Sequence, residues 1–373
     1  MLKTPAVAEH DWYEIASTAE IDSPALLVYP DRIRANVLLA IRMVGDVERL
    51  RPHVKTHKSS DITRLQMEAG IRKFKCATIS EAAMLAACGA PDVLFAYPLC
   101  GPKLTRFLTL VRTYPDTQFS AIVDDQESAL ALSRAAECEA VLLDVYIDLN
   151  IGMNRTGIPP DSSALALYRY CAQMPQLRVK GFHAYDGHVK EEKLETRKAH
   201  CDRNFEPIAI LRSTLQEEGF EKPVVIIGGS PSFPIYAGYE DVECSPGTFV
   251  LWDHGYSVSF PDQHFAVAAV LMTRVVSIPA QNRICVDLGH KAIASENPLE
   301  QRCAFLNAAG LTPVSQSEEH LVLSHNEGDR FRIGDVLYVI PTHICPTVAQ
   351  YNKMLMISNR QKTQEWPVNA RDR

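Results

Sequence analysis

The chain has 373 residues, 46% apolar and 22% charged, an ordinary globular composition with room for one large domain and a smaller one. A net charge of -7, with no cluster of basic residues, argues against a nucleic-acid surface. No stretch reaches the ~20 continuous apolar residues of a membrane helix, and the opening MLKTPAVAEHDWYE lacks the apolar run of a signal peptide. Ten scattered cysteines with no CxxC read as free thiols, which places the chain in a reducing cytoplasm.

From the N-terminus, apolar β-branched runs begin near Pro24 (PALLVYP), Leu50 (LRPHVKT), Lys73 (KFKCATI) and Asp92 (DVLFAYP). Others follow near Gln118 (QFSAIV), Val141 (VLLDVYIDL), Val179 (VKGFHAY) and Pro223 (PVVIIGG). Helix-like segments separate them, such as SEAAMLAACG and DQESALALSRAAE, with cap-type starts at Ser80–Glu81 and Asp124–Asp125 and a stop at Gly89. Eight near-continuous apolar strands alternating with helices predict a (β/α)8 TIM-type barrel over residues 22–253. An open doubly wound sheet is the alternative, but no GxGxxG follows the first strand.

Beyond Asp253 the helical period fades. The runs FAVAAVLMTRVVSI, RICVDLG, HLVLS, RFRIGDVLYVI and NKMLMI, with turns at Glu327–Gly328 and Ile333–Gly334, predict a mainly antiparallel β domain over residues 254–373. Residues 1–21 are candidates to join it, and the polar last ten residues are expected to fray.

Chemistry in a barrel sits at the C-terminal strand ends. In LRPHVKTHK, strand alternation puts His53, Lys55 and His57 on one face, and a lysine there is desolvated enough to act as a nucleophile. Thr78, Arg155 in NIGMNRTG, and Tyr185 and His188 in HAYDGH fall at later strand ends. Gly228–Gly229–Ser230 opens backbone N–H groups to an anion, with a following helix N-terminus in support. Gly247 and Thr248 of SPGT are placed to close the same site. Singly, each has an ordinary reading: a surface ion pair, rim packing, a turn. In PTHICP, an extended backbone would point His343 and Cys345 to one side, a pair suited to Zn²⁺ but too small for a closed structural site.

Taken together, PHVKTHK, GMNRTG, GGSP, SPGTF and PTHICPT resemble, in order and spacing, the fold-type III pyridoxal-phosphate (PLP) enzymes of the D-threonine aldolase/D-serine dehydratase branch. The resemblance runs from about Pro24 to Ile357. It implies that Lys55 holds PLP as a Schiff base, that Arg155 and Tyr185 lie against the cofactor, and that Gly229, Ser230, Gly247 and Thr248 bind its phosphate. It implies that His343 and Cys345 hold a divalent metal, zinc or manganese, and that the protein is a homodimer acting on a D-amino acid. The expected activity is retro-aldol cleavage of a D-β-hydroxy amino acid to glycine and an aldehyde, with His188 and His57 as candidate bases. Alternatives are a D-serine or D-3-hydroxyaspartate dehydratase, a racemase, a non-catalytic PLP-binding protein and a metal-dependent barrel enzyme. Alanine racemases of this fold type carry an arginine where this chain has Ser245, which weakens the racemase reading.

Overall fold

A computed structural model describes residues 12–326, 328 and 330–373. Glu327, half of one expected turn, lies outside the described residues, as do residues 1–11. The chain divides into two compact units. One holds the described part of Met1–Asn36 with Val250–Val258 and Phe265–Val368; the other holds Val37–Phe249, Ser259–His264 and Asn369–Arg373.

The first surprise is β1 (Ala25–Val28). Read from the sequence it is the first barrel strand. In the structure it belongs to the β unit, where it pairs antiparallel with β9 (Ala269–Ala280) and parallel with β15 (Lys353–Ser358). All four residues of ALLV are buried. A strand in the middle of a sheet covered on both faces has the same unbroken apolar run as a parallel barrel strand, so the pattern cannot separate them.

Seven parallel strands form the wall of the barrel unit. They are β2 (Lys73–Cys76), β3 (Asp92–Phe95), β4 (Gln118–Val123), β5 (Leu143–Leu149), β6 (Leu177–Ala184), β7 (Val224–Ile227) and β8 (Val242–Cys244), each paired with the next. The segment 50–53 closes the ring. Its backbone N–H groups at Arg51 and His53 donate to Cys244 O (2.8 Å) and Pro246 O (2.9 Å), and Lys75 N–H donates to Pro52 O (2.8 Å). The eight positions of the barrel are therefore filled with the count displaced by one, the overlooked member being β8. Its VEC carries a charge, and the charge is paired: Glu243 accepts from Arg51 Nε at 2.7 Å and from Lys73 Nζ at 2.7 Å.

Helices close as their caps dictate. Thr78 Oγ1 accepts from Glu81 N at 3.2 Å to start the helix Ile79–Ala87, and Gly89 follows its end at φ +79°. Asp125 starts the helix Gln126–Cys138 in the same way.

In the β unit, β9 is flanked by β1, by β10 (Arg283–Val286) and by β14 (Val336–Pro341). β11 (Cys303–Phe305) pairs with β14, β12 (Thr312–Gln316) with β13 (Leu321–Ser324), and β15 with β16 (Gln361–Pro367). Tyr13, Ile15 and Ile21 pack with Leu27, Val270, Met272, Tyr338 and Leu355 in its core. The expected fraying of the last ten residues does not occur. Part of that stretch is edge strand β16, and Asn369 Oδ1 accepts from Ser60 N at 3.1 Å. All ten cysteines are free, and among the described residues no helix is long and apolar enough to cross a membrane.

Candidate active site

At the mouth of the barrel the segment 50–53 stops behaving as a strand. With His53 N–H committed to Pro246 O, the chain turns into a single 3₁₀ turn, Val54–Thr56, in which Lys55 N–H donates to His53 Nδ1 at 3.3 Å. The expected alternation therefore ends at His53. His57 caps the turn, fully buried, with Nδ1 accepting from Ser59 N at 3.2 Å. Burial, aided by Lys58, lowers its pKa to about 3. The structure separates His57 from Lys55 and instead brings His53 towards Lys55, Lys75 and His183, whose charges add to burial in lowering the His53 pKa.

Three cations face one aromatic ring. Arg155 Cζ lies 4.7 Å, Lys55 Nζ 5.4 Å and Lys75 Nζ 5.9 Å from the centroid of Tyr185. Gly187 makes room for that ring, since a Cβ there would fall 2.3 Å from Tyr185 Oη. His188 packs edge-on against His200 at 5.1 Å, and Gly152 of the Arg155 loop leaves it space, because a Cβ would come within 2.5 Å of its Nε2. Burial, then His200, lowers the His188 pKa, which makes it a neutral imidazole at pH 7.

Two loops converge beside the lysine turn. Ser230 Oγ accepts from Thr248 N at 3.1 Å and from Gly247 N at 3.4 Å. Gly228 adopts φ +88°, and Gly229 N donates to Asp186 Oδ1 at 2.9 Å. Gly247 lies so close to the lysine segment that a Cβ would be 3.0 Å from His53 O. The N–H groups of Gly229, Gly247 and Thr248 are thus gathered here onto side-chain oxygens of Asp186 and Ser230, and glycine-bearing loops that cluster backbone donors in this way suit an anion. The helix after GGS, Phe233–Tyr236, is one turn long, so its dipole adds less than the sequence suggests. Thr78 is tied to its role as a helix cap.

A reading of motifs misses Lys75, Asp148 and Asp186, and it misses the link that joins Lys75 to Ser245, His183 and Asp148, while Asp186 clamps Gly229. Lys75 Nζ donates to Ser245 Oγ at 2.5 Å and lies 3.5 Å from His183 Nε2, while His183 Nδ1 meets Asp148 Oδ1 at 2.7 Å. The signal was present in KFKC, a charge in the middle of a strand buried on both faces.

In the β unit, His343 is the N-cap of the short helix Ile344–Val348, and Cys345 lies in its first turn. The expected extended geometry is absent, yet the two side chains still meet by a hydrogen bond. His343 Nδ1 contacts Glu296 Oε1 at 2.5 Å, and Asp253, nearly fully buried, accepts from Ile344 N at 3.1 Å. Burial lowers the His343 pKa, but Cys345 and Glu296 outweigh it and push it up to about 9. Among the described residues no three His, Cys, Asp or Glu side chains form a ready metal site. The donor chemistry offered is one imidazole and one thiol, with a carboxylate orienting the imidazole.

The barrel mouth thus brings together a lysine, an aromatic ring, an arginine and two glycine-bearing loops. The alanine racemase N-terminal domain model matches residues 28–253, and the serine dehydratase domain model matches residues 268–357. The chain thus belongs to the alanine racemase-like family of fold-type III PLP enzymes. It is 27% identical to a D-threonine aldolase of Arthrobacter sp. over 95% of this chain and 93% of that one. It is 24% identical to the D-threo-3-hydroxyaspartate dehydratase of Delftia sp., covering 93% and 97%. The crystal structure of D-threonine aldolase from Filomicrobium marinum superimposes with a TM-score of 0.86 at 27% identity, over 94% of this chain and 95% of that one.

Proposed function

We propose that the protein is a PLP- and divalent-metal-dependent lyase that cleaves D-β-hydroxy amino acids by a retro-aldol reaction of the D-threonine aldolase type. The observation that carries the reading is the meeting of Lys55, Arg155 and Tyr185 with the two N–H loops at one barrel mouth. Lys55 is the amine that binds the aldehyde. Gly229, Ser230, Gly247 and Thr248 hold the phosphate, with Gly228 supplying the turn; Tyr185 packs on the ring and Arg155 faces its phenolate side. When bound, PLP supplies an electron sink that labilises bonds at the substrate Cα.

The surrounding charge fits this assignment, since Lys55, Lys75 and Arg155 together favour a doubly charged phosphate and a substrate carboxylate. His343 and Cys345 would hold a divalent ion, zinc or manganese, which lowers the pKa of a hydroxyl bound to it. Glu296 fixes the imidazole for that role. The neutral imidazole of His188, beside the Arg155 loop, is suited to act as the general base. The assembly that goes with this reading is a homodimer, which light scattering would measure directly.

A thiol ligand at Cys345 favours a second reading, dehydration of D-serine or D-3-hydroxyaspartate to a 2-oxo acid and ammonia. Incubation with D-threonine, D-serine and D-3-hydroxyaspartate, followed by product identification, separates the two. Glycine with an aldehyde supports the aldolase, a 2-oxo acid the dehydratase, and an L-isomer overturns both in favour of a racemase.

A further inference from the structure

Lys75 is a buried cation of the barrel interior to which the proposed chemistry gives no task beyond its share of the local positive charge. It is almost wholly buried between the fully buried Phe74 and Cys76. A buried amine is a poor choice for stability alone, because a well-packed apolar side chain of similar size serves a fold as well or better. Its contacts are specific: Ser245 Oγ at 2.5 Å, His183 Nε2 at 3.5 Å and the ring of Tyr185 at 5.9 Å, the ring that Lys55 also faces. Ser245 lies two residues before Gly247 on the loop that forms the anion cradle.

A hydroxyl has one proton to place. While Lys75 is an ammonium it can only donate, so Ser245 Oγ must accept and its own proton turns outward to another acceptor. When Lys75 is a neutral amine it can accept, and the Ser245 proton can turn back towards it. The charge on Lys75 thus decides whether Ser245 offers a donor or a lone pair to whatever lies beside it. His183 supports this arrangement. With Nδ1–H given to Asp148, its Nε2 is left as an acceptor for the lysine.

We propose that Lys75 is a positioning residue which, through Ser245, sets the hydrogen-bond polarity that the barrel presents to bound PLP. The inference rests on the cofactor reading given above. Lys55 and Arg51 face the amine with like charge, Asp186 and Asp148 with opposite charge, and His53, His183 and Ser245 complete its surroundings. Burial, then Lys55, brings the Lys75 pKa down to about 7, against the pull of the two aspartates. The change of charge on Lys75 therefore falls near neutral pH.

The test compares cofactor-loaded wild type with Lys75→Met, Lys75→Arg and Ser245→Ala, recording visible absorption from about pH 5.5 to about pH 9 together with kcat and KM. In the wild type the cofactor band should shift with a midpoint near 7. Lys75→Met and Ser245→Ala should abolish that shift, and Lys75→Arg should lock the spectrum in its acid form. Turnover in Lys75→Met should fall about tenfold to a hundredfold with KM changed less than about threefold, and Lys75→Arg should recover part of it. A Met variant that titrates like the wild type, or a Ser245→Ala variant that keeps the shift, overturns the proposal. Should Lys75→Met not fold, the arginine and Ser245→Ala spectra decide alone. A visible band that ignores pH in the wild type sinks this inference only, whereas the absence of any band sinks the cofactor reading beneath it.

Discussion

In the barrel, the candidate site is assembled from strand ends scattered around the whole cylinder, and much of it is backbone. In the β unit, His343 and Cys345 stand two residues apart on one half-exposed turn, with Glu296 and Asp253 behind them. In the first arrangement the two glycine loops are buried and tightly packed, with carboxylates or hydroxyls gathering the N–H groups, while Lys55 and Tyr185 are half-buried and Arg155 is exposed at the mouth. The second is local and open, a half-exposed imidazole and thiol with two carboxylates close by, the pair proposed above as ligands for a divalent ion. A cofactor that must be oriented to a fraction of an ångström needs the first kind of construction. An ion that must exchange ligands with a substrate is served by the second.

The largest test of that contrast is Lys55→Ala. It should remove the visible absorbance of the loaded protein and lower turnover by at least about a thousandfold, since no other group replaces a covalent anchor. A visible band that persists in this variant, and that borohydride bleaches while fixing a pyridoxyl adduct on another lysine, would move the anchor elsewhere. Next, His343→Ala or a chelator should reduce turnover of β-hydroxy substrates by on the order of a hundredfold while the cofactor band persists. Unchanged rates in chelator would detach the β-unit pair from catalysis.

Gly247→Ala should act on the barrel alone. A Cβ 3.0 Å from His53 O must push the cradle away from the lysine turn, weakening cofactor affinity by about tenfold, as read by fluorescence titration. Equal affinity would mean the two loops are less tightly coupled than their packing indicates.

The smallest effect is on stability. His53 and His57 are buried with pKa values lowered from 6.5, to about 3 for His57. The unfolded chain then binds more protons than the folded one below pH 6.5, so stability is fully present above that value. It is lost as pH falls towards the folded pKa, by up to about 1.4 kcal/mol per pH unit for each histidine. Denaturant midpoints at pH 7.5 and 5.5 would show the loss, and His57→Gln should flatten it.

Much of this was legible in the sequence where chemistry is carried by short motifs. GGS, SPGT, NRTG and HAYDGH all lie at strand ends, as the alternation of strands and helices implied. The displaced strand count arose because β1 and a barrel strand present the same apolar run, while β8 hides behind Glu243. The face assigned to His57 was wrong in its premise, because alternation assumes a strand and the chain turns at Val54. Lys75 left a trace in KFKC as a charge inside a buried strand, but its connection to a site did not show, because its partners Ser245, His183 and Asp148 are distant in sequence.

That closure carries a further consequence. The stitch joining the last strand back to the second is three backbone hydrogen bonds at residues 51, 53 and 75, and the reactive turn is mounted directly on it. Loading the protein should therefore slow amide exchange at those three positions before any others, by mass action on the open form. Breathing at the seam would loosen the reactive amine in the same motion.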